Sequence, residues 1–500
     1  MIDHADGTVQ TMRDLEDFAR IHLRLDGLHE HLADGTFKIG LKFSQAGSGS
    51  SKINVYKSAD PDGSNSYLTD QEAAMAQISG RYARALGEVT SENALILPTD
   101  FWVGSGEENA TKYLLFEGCS EGQGQLVLTI HESDGTQIAE AGGCWIDLKQ
   151  IKKMYQRHDG SGKLEAISFE TDPSEEPNAI VFVHGWSMSP EGASNFAETF
   201  FKRLWHRGFK GRFAAFRWDT YWSDEFGWLP YAGGAIDSYL AKYNDSEYNA
   251  WQAGSSLASF INTLPSNYSK NIAAHSMGNI VVGSALLAGV TIQNYALMQA
   301  AVPAACYDES EAIEQKQQYK HLVFTMWDEL TPDDDDDPAV RAVAYRGRLK
   351  NVSSNLINFF LPEDYATSFA WEINNDQTKP PNAPLAANFR YNRFDLAGAK
   401  LYKYNMLLNL EVLDHYLTEP YEAMPFACRT WGKAVGAWGA TDGAINLPSS
   451  ANLQSSAFQL PNQAKTGFGE DHSGEFNAQI QVLKPFYDEL LRSFGIARNP

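Results

Sequence analysis

The spacing of apolar positions changes twice along the chain. Over residues 10–33, Leu15, Phe18, Ala19, His22, Leu23 and Leu25 recur at a spacing that predicts a helix. From Gly35 the runs become short and alternating or wholly apolar: "TFKIGLKFS", "SKINVYKS", "KYLLFEGC", "GQLVLTIHES" and "GGCWIDL", separated by Gly, Ser, Asp and Pro. Short strands punctuated in this way predict an antiparallel β-sandwich over 36–147. A basic helix, "LKQIKKMYQRHDG", and a polar turn, "FETDPSEEPN", close that region. From about residue 162 apolar strands and amphipathic helices take turns: "AIVFVHG", "SNFAETFFKRLWHRG", "RFAAFRW", then "EYNAWQAGSSLASFINTL", "KNIAAHS", "MGNIVVGSALLAG" and "NYALMQA". Strands apolar on both faces between helices predict a mostly parallel α/β sheet. The pattern therefore divides the chain into an N-terminal helical segment (1–35), a β-sandwich-like accessory domain (36–155) and an α/β domain (156–500).

Composition narrows the partners. A formal net charge of −23 over 500 residues repels phosphate backbones, so nucleic acid is not an expected partner. The longest apolar run, Ile280 to Ile292, is too short to cross a bilayer, and no transmembrane segment is expected. The opening "MIDHADGTVQTMRDLEDFAR" has no basic segment followed by an apolar core, so a soluble chain without a signal peptide is expected. Secretion or surface display enters only if the chain is a piece of a longer precursor. Four cysteines without C-x-x-C spacing exclude a disulfide scaffold; Cys119 and Cys144 either pair or stand as buried thiols.

Candidate chemistry begins at "AAHSMGN". Ser276 stands between an apolar strand and a helix, with small Ala274 and Gly278 around it. A serine at such a corner is lifted above the sheet edge as a nucleophile, although a serine that merely caps the helix has the same spelling. An earlier strand ends in "VFVHGW". There the backbone N–H of Trp186, after the small Gly185, and that of Met277 at the helix start are placed to stabilise an oxyanion. Of the histidines after Ser276, His321 opens a strand-like run and His415 lies in a helical stretch. His472 lies in the Gly-rich loop "TGFGEDHSGEF" directly before an amphipathic helix, a position suited to a base.

On "VFVHGW" and "AAHSMGN" the segment 162–500 resembles the α/β-hydrolase superfamily, specifically serine esterases and lipases of the His-Gly-x type. The resemblance implies an α/β-hydrolase fold and the chain order nucleophile, acid, histidine, with the acid a few residues beyond a late strand. "NLINFFLPEDYATSFAW" meets that position with Asp364; Asp328 and Glu363 are the alternatives. The implied triad is Ser276, Asp364 and His472, with Met277 and Trp186 as oxyanion donors. The Ala at position 274, where the common motif has Gly, is a departure from the family pattern.

An aromatic loop, "RWDTYWSDEFGWLPYAGG", follows the strand after the first helix. Trp218, Tyr221 and Trp222 are candidate substrate-binding residues, or else part of a satellite core. The acidic run "DDDDD" (333–337) and the segment 58–70 lack the spacing of a calcium loop, "HEH" lacks zinc-hydrolase spacing and "GSGSSK" lacks phosphate-loop spacing. No metal or cofactor is expected. The expected activity is carboxylic ester hydrolysis on a small-molecule or polymeric ester. Thioesters, amides and peptides are open to the same chemistry, and a non-catalytic hydrolase-like module of a larger surface protein is the competing class.

Overall fold

The computed structural model describes residues 15–24, 27–58, 80–102, 111–158, 172–220, 235–302, 349, 352, 354–361, 364, 455–461, 465–466, 469–470, 472–476 and 480–496. Described residues up to Tyr155 form one compact unit, and those from Gln156 onward form another.

The first unit contains β1 (Phe18–Arg24), α1 (His29–Ala33), β2 (Phe37–Lys57), β3 (Gly87–Val89), β4 (Leu95–Ile96), β5 (Thr111–Glu132), β6 (Gln137–Leu148) and α2 (Ile151–Met154). The helix predicted over 10–33 is corrected here: Phe18–Arg24 is a strand, antiparallel to β5 from Phe18↔Glu117 to Arg24↔Thr111. Its sequence FARIHLR supports both periods, and hydrogen bonding to β5 decides between them. The β-sandwich expectation is also modified. All six described strands belong to one antiparallel sheet, with β2 and β5 as its long central ribbon. Register shifts interrupt the ladder between Phe43 and Ile53, yet Ile39, Leu41, Phe43, Ile53 and Val55, all even steps apart, share one core. Cys119 and Cys144 are both free thiols.

The second unit contains β7 (Gln156–His158), β8 (Glu176–Val183), α3 (Pro190–His206), β9 (Gly211–Phe216), α4 (Ala235–Thr263), β10 (Ser269–His275), α5 (Gly278–Leu287), β11 (Asn294–Met298), β12 (Asn355–Phe360), β13 (Ser455–Gln459), β14 (Lys465–Thr466), β15 (Gly469–Glu470) and α6 (Ile480–Ser493). Among the described residues seven strands make one sheet in the order β13-β12-β11-β10-β8-β9-β7. Every neighbouring pair is parallel. The continuous apolar runs have their reason in burial: Ile180 to Val183, Ile272 to Ala274 and Tyr295 to Met298 are at most 1% exposed. Helix α3 is capped by Ser189, whose hydroxyl accepts from Gly192 N–H (2.9 Å), with Pro190 in its first turn.

Two features of this sheet bear on the site. From β8 the chain steps through α3 to β9 on one side, then returns through α4 to β10 on the other side of β8. In open α/β sheets ligands bind outside the carboxyl ends of the strands that flank such a reversal, here β8 and β10. At the opposite end of the sheet, in-register Asn271, Asn294 and Asn355 form a ladder. Asn294 Nδ2 donates to Asn271 Oδ1 (2.6 Å), and Asn355 Nδ2 donates to Asn294 Oδ1 (2.9 Å). No helix among the described residues is long and apolar enough to cross a membrane.

Candidate active site

The site is built first on the corner between β10 and α5. Ser276 has φ +53°, a left-handed conformation that costs a non-glycine residue on the order of 1 kcal/mol and persists only when neighbours impose it. They do so through its own peptide groups. Ser276 N–H donates to the Met298 carbonyl (3.0 Å), while the Ser276 carbonyl accepts from Ala301 N–H (3.1 Å) and Asn279 Nδ2 (2.8 Å). Asn279 Nδ2 also donates to the Ala274 carbonyl (2.9 Å), and Tyr295 OH donates to Asn279 Oδ1 (2.7 Å). Ala274 is fully buried, so the corner accommodates the methyl that departs from the family pattern. Gly278 has no such room. A Cβ there would lie 2.4 Å from the His184 carbonyl oxygen and 2.7 Å from that of Val183.

The second element is the turn after β8. His184 is buried, and that burial pushes its imidazole down to about 4, so the ring is neutral at neutral pH. Its Nε2 accepts from Trp218 N–H (3.2 Å), which leaves Nδ1–H to donate to the Gly185 carbonyl (2.8 Å). That carbonyl shares a trans peptide with Trp186 N–H, so holding one fixes the direction of the other. Gly185 also permits close approach: a Cβ there would sit 2.9 Å from Ser276 Cβ. Beyond it, Ser187 (φ +60°) donates its N–H to Thr220 Oγ1 (3.0 Å), and Trp186 Nε1 donates to Ser246 Oγ (3.0 Å).

Asp364 and His472, 108 positions apart in sequence, meet directly: His472 Nδ1 lies 2.6 Å from Asp364 Oδ2, with both side chains buried. The same carboxylate oxygen accepts from Gln299 Nε2 (2.9 Å). Gln299 stands just beyond β11 with φ +40°, and its N–H donates to the Phe359 carbonyl (2.9 Å). His275, the neighbour of Ser276, lies 2.8 Å through Nε2 from the His472 carbonyl oxygen, with the two rings 4.8 Å apart. Among the described residues, no hydrogen bond joins Ser276 Oγ to His472 Nε2. The serine corner, the histidine turn and the carboxylate thus share one buried neighbourhood at the carboxyl end of the sheet.

Of the residues proposed to line a substrate wall, Tyr221 and Trp222 lie outside the described residues. Trp218 is corrected. Its indole is 1% exposed and stacks on His184 at 11°, and Nε1 donates to the His184 carbonyl (2.8 Å). Both N–H groups of Trp218 are engaged by His184, so the residue braces the turn rather than facing a ligand. The alternative acids Asp328 and Glu363, the alternative histidines His321 and His415, and the acidic run 333–337 also lie outside the described residues. Sequence reasoning missed Gln299 and Asn279. Each was marked only by a polar side chain in an otherwise apolar run, "NYALMQA" and "MGNIVVG".

No protein-family profile and no curated protein sequence matches the chain. Among solved structures, a lipase-esterase related protein from Clostridium acetobutylicum shares 14% identity over 41% of this chain and 77% of its own, with a TM-score of 0.20. A serine hydrolase involved in carbazole degradation (CarC enzyme) shares 12% identity over 64% of this chain and 92% of its own, with a TM-score of 0.25.

Proposed function

We propose that the second unit is an α/β-hydrolase domain and that the chain is a serine-dependent carboxylic ester hydrolase. The observation that carries this reading is the buried 2.6 Å contact between Asp364 and His472 Nδ1, next to a serine held at positive φ on a strand-to-helix corner. The strand order, the switch point beside that corner and the sequence order Ser276, Asp364, His472 all support it.

In the proposed reaction Ser276 Oγ attacks the ester carbonyl as its proton passes to His472 Nε2. Asp364 holds Nδ1–H and balances the imidazolium charge. The Met277 and Trp186 N–H groups stabilise the oxyanion, and His472 returns the proton to the departing alkoxide. Water, activated by the same imidazole, then releases the acyl group from Ser276 and restores the enzyme. The hydrogen bond from Ser276 to His472 forms as substrate binds, since such contacts tighten in the Michaelis complex.

Ser276→Ala should lower turnover of p-nitrophenyl esters by roughly three or more orders of magnitude with the fold intact. A fluorophosphonate should label the native protein at Ser276, as read by peptide mass spectrometry. Native-like hydrolysis by Ser276→Ala, or no labelling of the native protein, refutes the assignment. A matched panel of ester, thioester and amide substrates tests the preference for esters.

A further inference from the structure

The turn that carries His472 must hold that residue still relative to a serine 196 positions earlier. Besides the Asp364 contact on the His472 ring, the turn is gripped along its backbone and at its far end. The Phe476 ring packs against Phe196 (4.8 Å), Phe182 (5.7 Å) and Phe200 (6.0 Å). The Glu475 carbonyl accepts from Arg203 Nη1 (2.7 Å) and Tyr487 OH (3.2 Å). Both act at the far end of the turn, three and four residues beyond His472. The His275 contact acts on the peptide of His472 itself.

The chemistry of that contact is well defined. His275 is buried, and burial followed by the neighbouring His472 holds its imidazole down to about 3. A neutral ring 2.8 Å from a carbonyl oxygen must carry its proton on that nitrogen, because two acceptors facing each other would repel. Nε2–H therefore donates to the His472 carbonyl. Glu475 Oε1 lies 3.5 Å from the same nitrogen; with His275 neutral this is no ion pair, and it favours the same Nε2–H tautomer. The opposite ring nitrogen faces Gly185, where a Cβ would sit 3.0 Å from Nδ1. The edge of the ring meets Phe476 at 5.2 Å and 80°. The ring is thus wedged between the oxyanion turn on one side and the histidine turn on the other.

We propose that His275 is a positioning residue: its Nε2–H ties the backbone of His472 to the peptide chain of the adjacent Ser276, fixing base and nucleophile relative to each other. The consequence is geometric. Ser276 and His472 are separated by 196 residues in sequence, yet a single hydrogen bond links the residue before one to the main chain of the other. This inference rests on the triad reading above, and its test separates the two.

His275→Gln retains an N–H donor on a side chain of similar reach, whereas His275→Met fills similar space without a donor. The Met variant should lose about 10- to 100-fold in kcat on p-nitrophenyl esters, with KM unchanged. Its fluorophosphonate labelling rate should fall by a comparable factor, and Gln should recover most of both losses. In 15N-histidine-labelled native protein at neutral pH, one buried imidazole should carry its proton on Nε2, and that signal should vanish in His275→Met. Equal kcat for Met and the native protein overturns the proposal, as does equal loss in Gln and Met. If neither variant folds, the native spectrum decides: absence of a buried Nε2–H tautomer overturns it, and its presence supports it. Failure of the triad reading looks different, because Ser276→Ala would then keep native activity whatever His275 does.

Discussion

Replacing Gly278 with alanine tests whether the serine corner depends on contact between the start of α5 and the end of β8. The new methyl carbon would lie 2.4 Å from the His184 carbonyl oxygen and 2.7 Å from the Val183 carbonyl oxygen. Ordinary contact begins near 3.4 Å, so relief requires a retreat of about 1 Å (3.4 − 2.4). The carbonyls have little freedom to give way. Val183 is paired with Phe216 on one side and Ala274 on the other, and the His184 carbonyl accepts from Trp218 Nε1. The helix start must move instead, taking Met277 N–H and the Ser276 corner away from Trp186 N–H. Overpacking of this kind costs about 1–3 kcal/mol, and a displacement near 1 Å at a reacting group costs about 10²-fold in rate. Gly278→Ala should therefore unfold at lower urea and label with fluorophosphonate about 100-fold more slowly. Gly289→Ala is the control. Gly289 has φ +87° with nothing within 4 Å of a Cβ, so alanine there incurs only left-handed strain, about 1–2 kcal/mol, and leaves labelling unchanged. Labelling of folded Gly278→Ala within threefold of native would refute the reasoning.

Gln299→Leu removes the second donor on Asp364 Oδ2 while nearly preserving volume; kcat should fall about tenfold with KM unchanged, equivalent to about 1.4 kcal/mol of transition-state stabilisation. An unchanged kcat in steady-state assays would assign Gln299 no part in holding the carboxylate. Acid should destabilise the second unit through His184 and His275, whose imidazoles burial lowers from an ordinary 6.5 to about 4 and about 3. Below 6.5 the unfolded chain takes up both protons and the folded chain does not, so stability present above 6.5 is lost as pH falls toward 4 and 3, by up to about 1.4 kcal/mol per unit for each histidine. Urea midpoints at pH 7 and pH 5 check this: His275→Gln should lose less across the interval than the native protein, and an equal loss would discount the His275 contribution.

How much could be read in advance depended on whether a residue's role is local. The parallel sheet was legible because continuous runs such as "AIVFV" and "NYALM" leave no polar face for solvent. The corner at Ser276 was legible because its constraint lies in adjacent residues, Gly278 above all. Residues 18–24 were misread because their apolar positions fit two periods, and the partner that selects the strand, β5, begins at Thr111. Trp218 fitted a ligand wall and a satellite core equally, because an aromatic residue in a loop carries no mark of what it stacks on. His275 and Gln299 escaped notice because each acts on backbone or carboxylate atoms from a distant part of the sequence, and Asn279 because an amide at a helix start carries no mark of the carbonyls it braces. Their polarity at the edge of an apolar run was the one available sign.

The asparagine ladder at the far end of the sheet acts as a gauge for the site. Because β10, β11 and β12 are apolar on both faces, sliding one strand past another would bury as much hydrocarbon as the native alignment does, and hydrophobicity alone sets no offset. Each step of slippage would shift a strand's tip by about 3.3 Å. It would also separate the amides of Asn271, Asn294 and Asn355, leaving those of the buried Asn271 and Asn294 stranded where water cannot reach them. Ser276 and Gln299 each follow their own rung by five residues (271 + 5 and 294 + 5), so the alignment measured at the rungs arrives unchanged at the two left-handed residues.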